Sequence, residues 1–125
     1  MTIQILSNRM EIVLPNNTNE GMSLFHETQL QAIAESFGGF TVIDQQGGWV
    51  DDGKLYKDNS QRLIINFNTL SIANRIAIIT LLRYLFNDCG QLAVFIQIND
   101  VAMIMEGSDK LSEVLEAYKN LKGGL

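Results

Sequence analysis

Hydrophobic residues recur along this chain with two different periods, and the places where the period changes outline its elements. In "MEIVLP" (10–15), Met10, Ile12 and Leu14 alternate with Glu11 and Val13, the period of two expected of a strand with one buried face. That strand is predicted to reach back towards Ile3 and to end at Pro15, where the polar loop "PNNTNEG" (15–21) begins. Ser23 is the expected N-cap of a helix whose apolar stripe is Leu30, Ile33, Ala34 and Phe37, with Gly38 and Gly39 stopping it. "FTVID" (40–44) and "QRLIINF" (61–67) are rich in β-branched and aromatic residues, which predicts two antiparallel strands joined around a Gly-Trp segment that itself pairs. A second helix is expected from Ser71 to about Asp88. "LAVFIQI" (92–98) and "VAMIM" (101–105) read as strands around an Asn99-Asp100 turn. Ser108 caps a last amphipathic helix, at about 109–122, carrying Leu111, Val114, Leu115, Tyr118 and Leu121.

The order is an α+β, ferredoxin-like split β-α-β (βαββαβ) antiparallel sheet with an extra strand and a C-terminal amphipathic helix. A length of 125 residues fits one domain spanning 1–125, with the ferredoxin-like core at about 10–105. The net charge of −5 supplies no general field for nucleic acid or anionic lipid. One cysteine, Cys89, excludes an intrachain disulfide, and the N-terminus lacks a secretory pattern, so a cytoplasmic protein is expected. The apolar run at 72–86 is interrupted by Asn74, Arg75 and Arg83 and is too short for a bilayer, so no membrane association is expected.

Candidate chemistry is sparse. His26 is the only histidine, which leaves no multi-histidine metal site, and it reads as an ordinary exposed or half-buried side chain. A Cys89–His26 nucleophilic pair lacks a supporting local motif. Asp44, Asp51, Asp52 and Asp58 flank the glycine-rich span but lack the alternation of a calcium loop, and "DDGK" reads as a turn. The glycine pairs form no phosphate cradle, and Gly47, Gly48 and Gly53 are expected to let the hairpin turn around Trp49. Trp49 either plugs the end of the core, the favoured reading, or offers a stacking surface.

The runs at 37–67 and 84–100 resemble a group of small uncharacterised bacterial, plasmid and phage domains of unknown function. The matching positions are Phe37, Gly39, Thr41, Gly48, Trp49, Gly53, Gln91, Ala93 and Val94. The group usually has Glu and then a small residue after the tryptophan turn, where this chain has Asp58, Asn59 and Ser60. The resemblance implies a compact α+β domain and supplies no activity.

The resulting expectation is a non-enzymatic, self-associating binding or interaction domain, a homo-oligomer with no catalytic residues, cofactor or metal. Trp49, Thr41, Tyr56, Arg62 and Gln91 are its candidate ligand or partner residues. One alternative is a binding protein for a small polar or nucleotide-like ligand, using Trp49 for stacking and Arg62, Arg75 or Arg83 for charge. Another is a metal-dependent enzyme using Asp44, Asp51, Asp52 or Asp58.

Overall fold

The computed structural model describes residues 2–107. In chain order it contains β1 (Asn8–Pro15), α1 (Glu27–Phe37), β2 (Thr41–Asp51), β3 (Lys54–Phe67), α2 (Ile72–Asn87), β4 (Val94–Ile98) and β5 (Val101–Met105). The C-terminal helix expected at about 109–122 lies outside the described residues. The strands form one sheet in the order β2-β3-β1-β4-β5, with every neighbouring pair antiparallel. This is the ferredoxin-like arrangement, with β5 added as a hairpin partner on the β4 edge.

The period-two pattern decides which sheet face meets the helices. Met10, Ile12 and Leu14 are buried beside Leu63, Ile65, Ile96 and Ile98, and α2 covers them with Ile78, Leu82 and Leu85 while α1 adds Ile33. Each such side chain contributes about 1.5–3 kcal/mol on burial. The opposite sheet face carries Glu11, Val13, Arg62, Phe95 and Gln97, and no element among the described residues lies across it.

Local signals hold at α2 and at the end of α1. Ser71 accepts from the Asn74 backbone while the Asn74 side chain accepts from the Ser71 N–H, a reciprocal cap. Asn74 also donates to the Ser36 carbonyl and hydroxyl, at 2.9 and 2.7 Å, so the start of α2 is tied to the end of α1. Gly38 ends α1 at φ 88°.

Three expectations are corrected. The first helix starts at Glu27, because Ser23 is engaged in a backbone bridge to Asn17 within the closed loop after Pro15. The first strand begins at Asn8, since its neighbours end there: β3 stops at Phe67, and Asn99 of the β4–β5 turn bonds the Arg9 backbone in both directions. Gly47 and Gly48 are paired strand residues, and the hairpin turns at Asp52 (φ 50°) and Gly53 (φ 75°).

Because β2 and β3 pair from Thr41↔Ile64 to Asp51↔Lys54 while β1 reaches only Pro15↔Ser60, residues 46–59 extend beyond the sheet as a two-stranded arm. No described helix is long and apolar enough to cross a membrane.

Candidate functional site on the open sheet face

Side chains of a strand alternate between faces, so the pairs Trp49↔Tyr56, Gly47↔Asp58, Gln45↔Ser60 and Ile43↔Arg62 stand in a row on the open face. At the outer end the Trp49 and Tyr56 rings stack, with centroids 5.6 Å apart and planes 15° from parallel, and the Lys54 ammonium lies 5.1 Å from the Tyr56 ring centre. Trp49 keeps 53% of its surface exposed. The core-plug reading is therefore corrected: the indole sits on an arm beneath which no element among the described residues lies.

One step inwards, Asp58 stands opposite Gly47, so no side chain faces its carboxylate across the arm. Further in runs a polar chain. Gln45 donates to Ser60 Oγ at 3.0 Å, and Arg62 Nε donates to Gln45 Oε1 at 2.8 Å. Arg62 also lies 3.6 Å from Glu11 and holds its guanidinium 5.0 Å from the centre of the Phe95 ring. This neutralises both charges and stiffens the face; at this partial exposure the pair contributes no more than about 1 kcal/mol.

Between the end of β1 and the α2–β4 turn lies a cavity of about 250 Å³, lined by Pro15, Asp58, Ser60, Gln91, Phe95 and Ile104 among others. Gln91 is placed there by its backbone N–H, which bonds the Leu85 carbonyl at 3.1 Å, and by its side chain, which donates to the Cys89 carbonyl at 3.4 Å. Carboxylate, hydroxyl and amide thus meet beside an aromatic shelf.

Of the sequence candidates, Trp49 and Tyr56 form the shelf, Gln91 lines the cavity and Arg62 braces its Phe95 wall. Thr41 is not with them. It lines a separate cavity of about 340 Å³ near Phe37, Phe40 and Asn66. The four aspartates do not converge either: Asp44 accepts from Gln61 at 3.3 Å, Asp51 and Asp52 lie at the arm tip, and only Asp58 reaches the cavity. Among the described residues no group of three or more His, Cys, Asp or Glu is placed to hold a metal ion. Ser60 is a cavity-lining residue outside the candidate set, and Asp58 stood in it only as one of four possible metal carboxylates. Their signal was the alternation Tyr56, Asp58, Ser60, Arg62, which puts all four on one face once the arm is read as strand.

A second cluster centres on His26, which lines a different cavity. His26 is only 5% exposed, contrary to the expectation of an ordinary exposed or half-buried side chain. Its Nε2 is 2.7 Å from the Pro15 carbonyl and its Nδ1 is 2.7 Å from the Tyr84 hydroxyl. The Tyr84 hydroxyl and the Cys89 thiol are electrostatic neighbours. Burial pushes the Tyr84 phenol well above its ordinary range, reinforced by Cys89 and by the Asp88 charge. Burial also raises the Cys89 thiol, partly offset by the Tyr84 hydroxyl. The only histidine thus bonds the Tyr84 hydroxyl, while burial holds the only cysteine towards its neutral thiol.

No protein-family model and no curated protein matches the chain. Solved structures do. A phage SAM lyase in complex with S-methyl-5'-thioadenosine is similar over 86% of this chain and 95% of that one, with a TM-score of 0.59 and 18% identity. The phage SAM lyase in its apo state gives 86% and 97% coverage, TM-score 0.58 and 19% identity. CutA from Synechococcus elongatus covers 84% of this chain and 80% of that one, with TM-score 0.43 and 10% identity. At these identities the lyase likeness establishes a shared fold. It also corrects the expectation of a non-enzymatic interaction module: that expectation rested on a fold with no catalytic motif, and the same fold is here found in an enzyme.

Proposed function

We propose that this chain is an enzyme that cleaves S-adenosylmethionine (SAM), or a closely related adenosyl sulfonium, at the open-face cavity. The observation that carries the reading is the meeting of Asp58, Ser60 and Gln91 beside the Trp49–Tyr56 shelf, on a fold shared with a phage SAM lyase. The chemistry of the ligand matches the chemistry of the site. Adenine is a flat π-system that stacks on exposed aromatic rings, a contact of about 1–3 kcal/mol per base. The Asp58 carboxylate stands one cross-strand pair inwards, about 7 Å along the strand, where it accepts the two ribose hydroxyls. Gln91 and Ser60 offer neutral donors and acceptors to the amino acid end.

Breaking the bond between the sulfonium sulfur and the γ-carbon sends its electron pair to sulfur, which leaves as the neutral thioether S-methyl-5'-thioadenosine. A lyase adds no water, so the four-carbon fragment supplies the replacing pair itself. Either its carboxylate oxygen bonds to the γ-carbon and closes a lactone, or a β C–H pair forms a double bond as the proton passes to a base. Positive charge disappears in both routes, so the apolar Phe95 and Ile104 walls favour the transition state over the cation.

Self-association belongs to the same reading. The cavity is open on one side, the exposed Ile104 lines it and the exposed Ile43 lies on the same sheet face, so a second copy laid on this face closes the site and excludes water.

The test is incubation of the purified protein with SAM and chromatographic detection of S-methyl-5'-thioadenosine, with light scattering for mass. Conversion that stops on replacing Asp58 supports the proposal. Persistence of SAM at stoichiometric enzyme, with no thermal stabilisation by the thioadenosine, overturns it.

A further inference from the structure

We infer that Ser60 sets the specificity of the open-face cavity: its hydroxyl proton, left unspent by the Gln45–Arg62 pair, binds the carboxylate at the amino acid end of the ligand. The site thereby takes adenosyl ligands that carry an α-amino carboxylate over those that lack one. This rests on reading that cavity as the ligand site.

A guanidinium only donates hydrogen bonds, so Arg62 Nε, 2.8 Å from Gln45, fixes the oxygen of that amide towards itself. The amide nitrogen of Gln45 therefore faces Ser60 and donates to its Oγ at 3.0 Å. Arg62 is held in turn by Glu11, 3.6 Å away, and by the Phe95 ring, whose centre lies 5.0 Å from the guanidinium. The Ser60 hydroxyl thus accepts from Gln45, and its own proton is left to donate. Among the described residues Gln45 is the one side chain bonded to it. Ser60 is 6% exposed and lines the cavity, so the proton has the cavity to point into.

Position along the strand decides which part of an adenosyl ligand meets that proton. Ser60 lies four residues beyond Tyr56, about 13 Å along β3, which matches an adenosyl amino acid extended from its base to its carboxylate. Asp58, between them, takes the ribose. At the inner end the ligand offers an ammonium, which only donates, a sulfur and a carboxylate, so the carboxylate is the acceptor that a hydroxyl donor selects. A hydrogen bond to an anion is about twice as strong as one between neutral groups, so the carboxylate displaces water from this donor. Glu11 offsets the Arg62 charge, so the guanidinium does not by itself draw anions here and the discrimination falls on Ser60.

Two neutral thioethers isolate the contact: S-adenosylhomocysteine carries the amino acid end, and S-methyl-5'-thioadenosine lacks it. Calorimetric titration of the wild type is expected to show tighter binding of the first. Ser60→Ala should lower S-adenosylhomocysteine affinity about ten- to hundredfold, the range for a hydrogen bond to a charged group, and leave thioadenosine affinity within about twofold. Ser60→Thr keeps the hydroxyl and should restore the preference. Gln45→Glu keeps an acceptor for Arg62 and offers a second to Ser60, which turns the proton away from the cavity. The same selective loss is expected there, and it should add little when combined with Ser60→Ala, whereas simple charge repulsion would persist in the double variant. Equal loss of both ligands in Ser60→Ala, loss of neither, or a Gln45→Glu effect undiminished without the hydroxyl overturns the inference. If the thioadenosine binds the wild type in those cases, the cavity reading survives them. If neither ligand binds the wild type, the reading and the inference fall together.

Discussion

Replacing Trp49 by alanine separates the two roles open to that residue. A fully buried aromatic costs about 3–5 kcal/mol when truncated to alanine, because burial is lost and a void remains. Trp49 is 53% exposed and its principal partner is the Tyr56 ring, stacked at 5.6 Å. The loss is therefore the aromatic pair, about 0.5–1.5 kcal/mol, plus a modest apolar area, about 1–2 kcal/mol together. For a chain of this size that is a fall in Tm of about 3–10 °C. Since Trp49 is the only tryptophan, unfolding is followed by far-ultraviolet circular dichroism in urea, with wild type measured by the same signal. Affinity for S-methyl-5'-thioadenosine is expected to fall further than stability, about 5- to 100-fold, as one stacking surface disappears. Trp49→Phe keeps a ring on the shelf and should recover most of both quantities. A stability loss above about 3 kcal/mol would refute the arm geometry, and unchanged affinity would refute the shelf.

Three further outcomes follow from particular contacts. Asp58→Asn should weaken thioadenosine binding about ten- to hundredfold, the range for hydrogen bonds to a charged acceptor, while the urea midpoint hardly moves, because Gly47 opposite offers the carboxylate no side chain to lean on. Asn74→Ala removes half of the α2 cap and the bonds to Ser36, so unfolding free energy should drop by about 1–3 kcal/mol; a change within about 0.5 kcal/mol, the size of a neutral surface substitution, would contradict the tie between the helices. Cys89 and Tyr84 both have raised pKa values in the fold, so the unfolded chain loses these protons first as pH rises. Their contribution is complete below about pH 8.5 and declines above it, first for the thiol and then for the phenol, which urea unfolding between pH 8 and 10.5 should show as a steady fall that Cys89→Ala reduces.

Much of the fold was legible because the signals concerned are local. Met10, Ile12 and Leu14 state the buried face of β1 by alternation alone, and Ser71 with Asn74 states the start of α2 by donors and acceptors three residues apart. Where local and tertiary demands compete, the reading went astray. Ser23 has the chemistry of a cap, yet its backbone is committed to Asn17, so α1 begins four residues later at Glu27. Gly47 and Gly48 have the freedom to turn, yet Asp52 and Gly53 provide a turn that leaves the strands in register, so the arm grows to its full length.

The candidate site was the least legible part, for a physical reason. Asp58 and Gln91 lie far apart in sequence and meet only because β1 stops at Pro15, leaving space between the arm and the α2–β4 turn. His26 looked like a surface residue because its partners are a backbone carbonyl 11 positions away and a hydroxyl 58 positions away, and neither has a sequence pattern. Alternation, caps and turn residues act over one to four positions, so the chain alone determined its strands, most of α2 and which sheet face is buried. Hydrogen bonds and cavities join whatever the strand order brings together, so only the tertiary structure decided that Trp49 stands on the arm and that the lone histidine is buried between the Pro15 carbonyl and the Tyr84 hydroxyl.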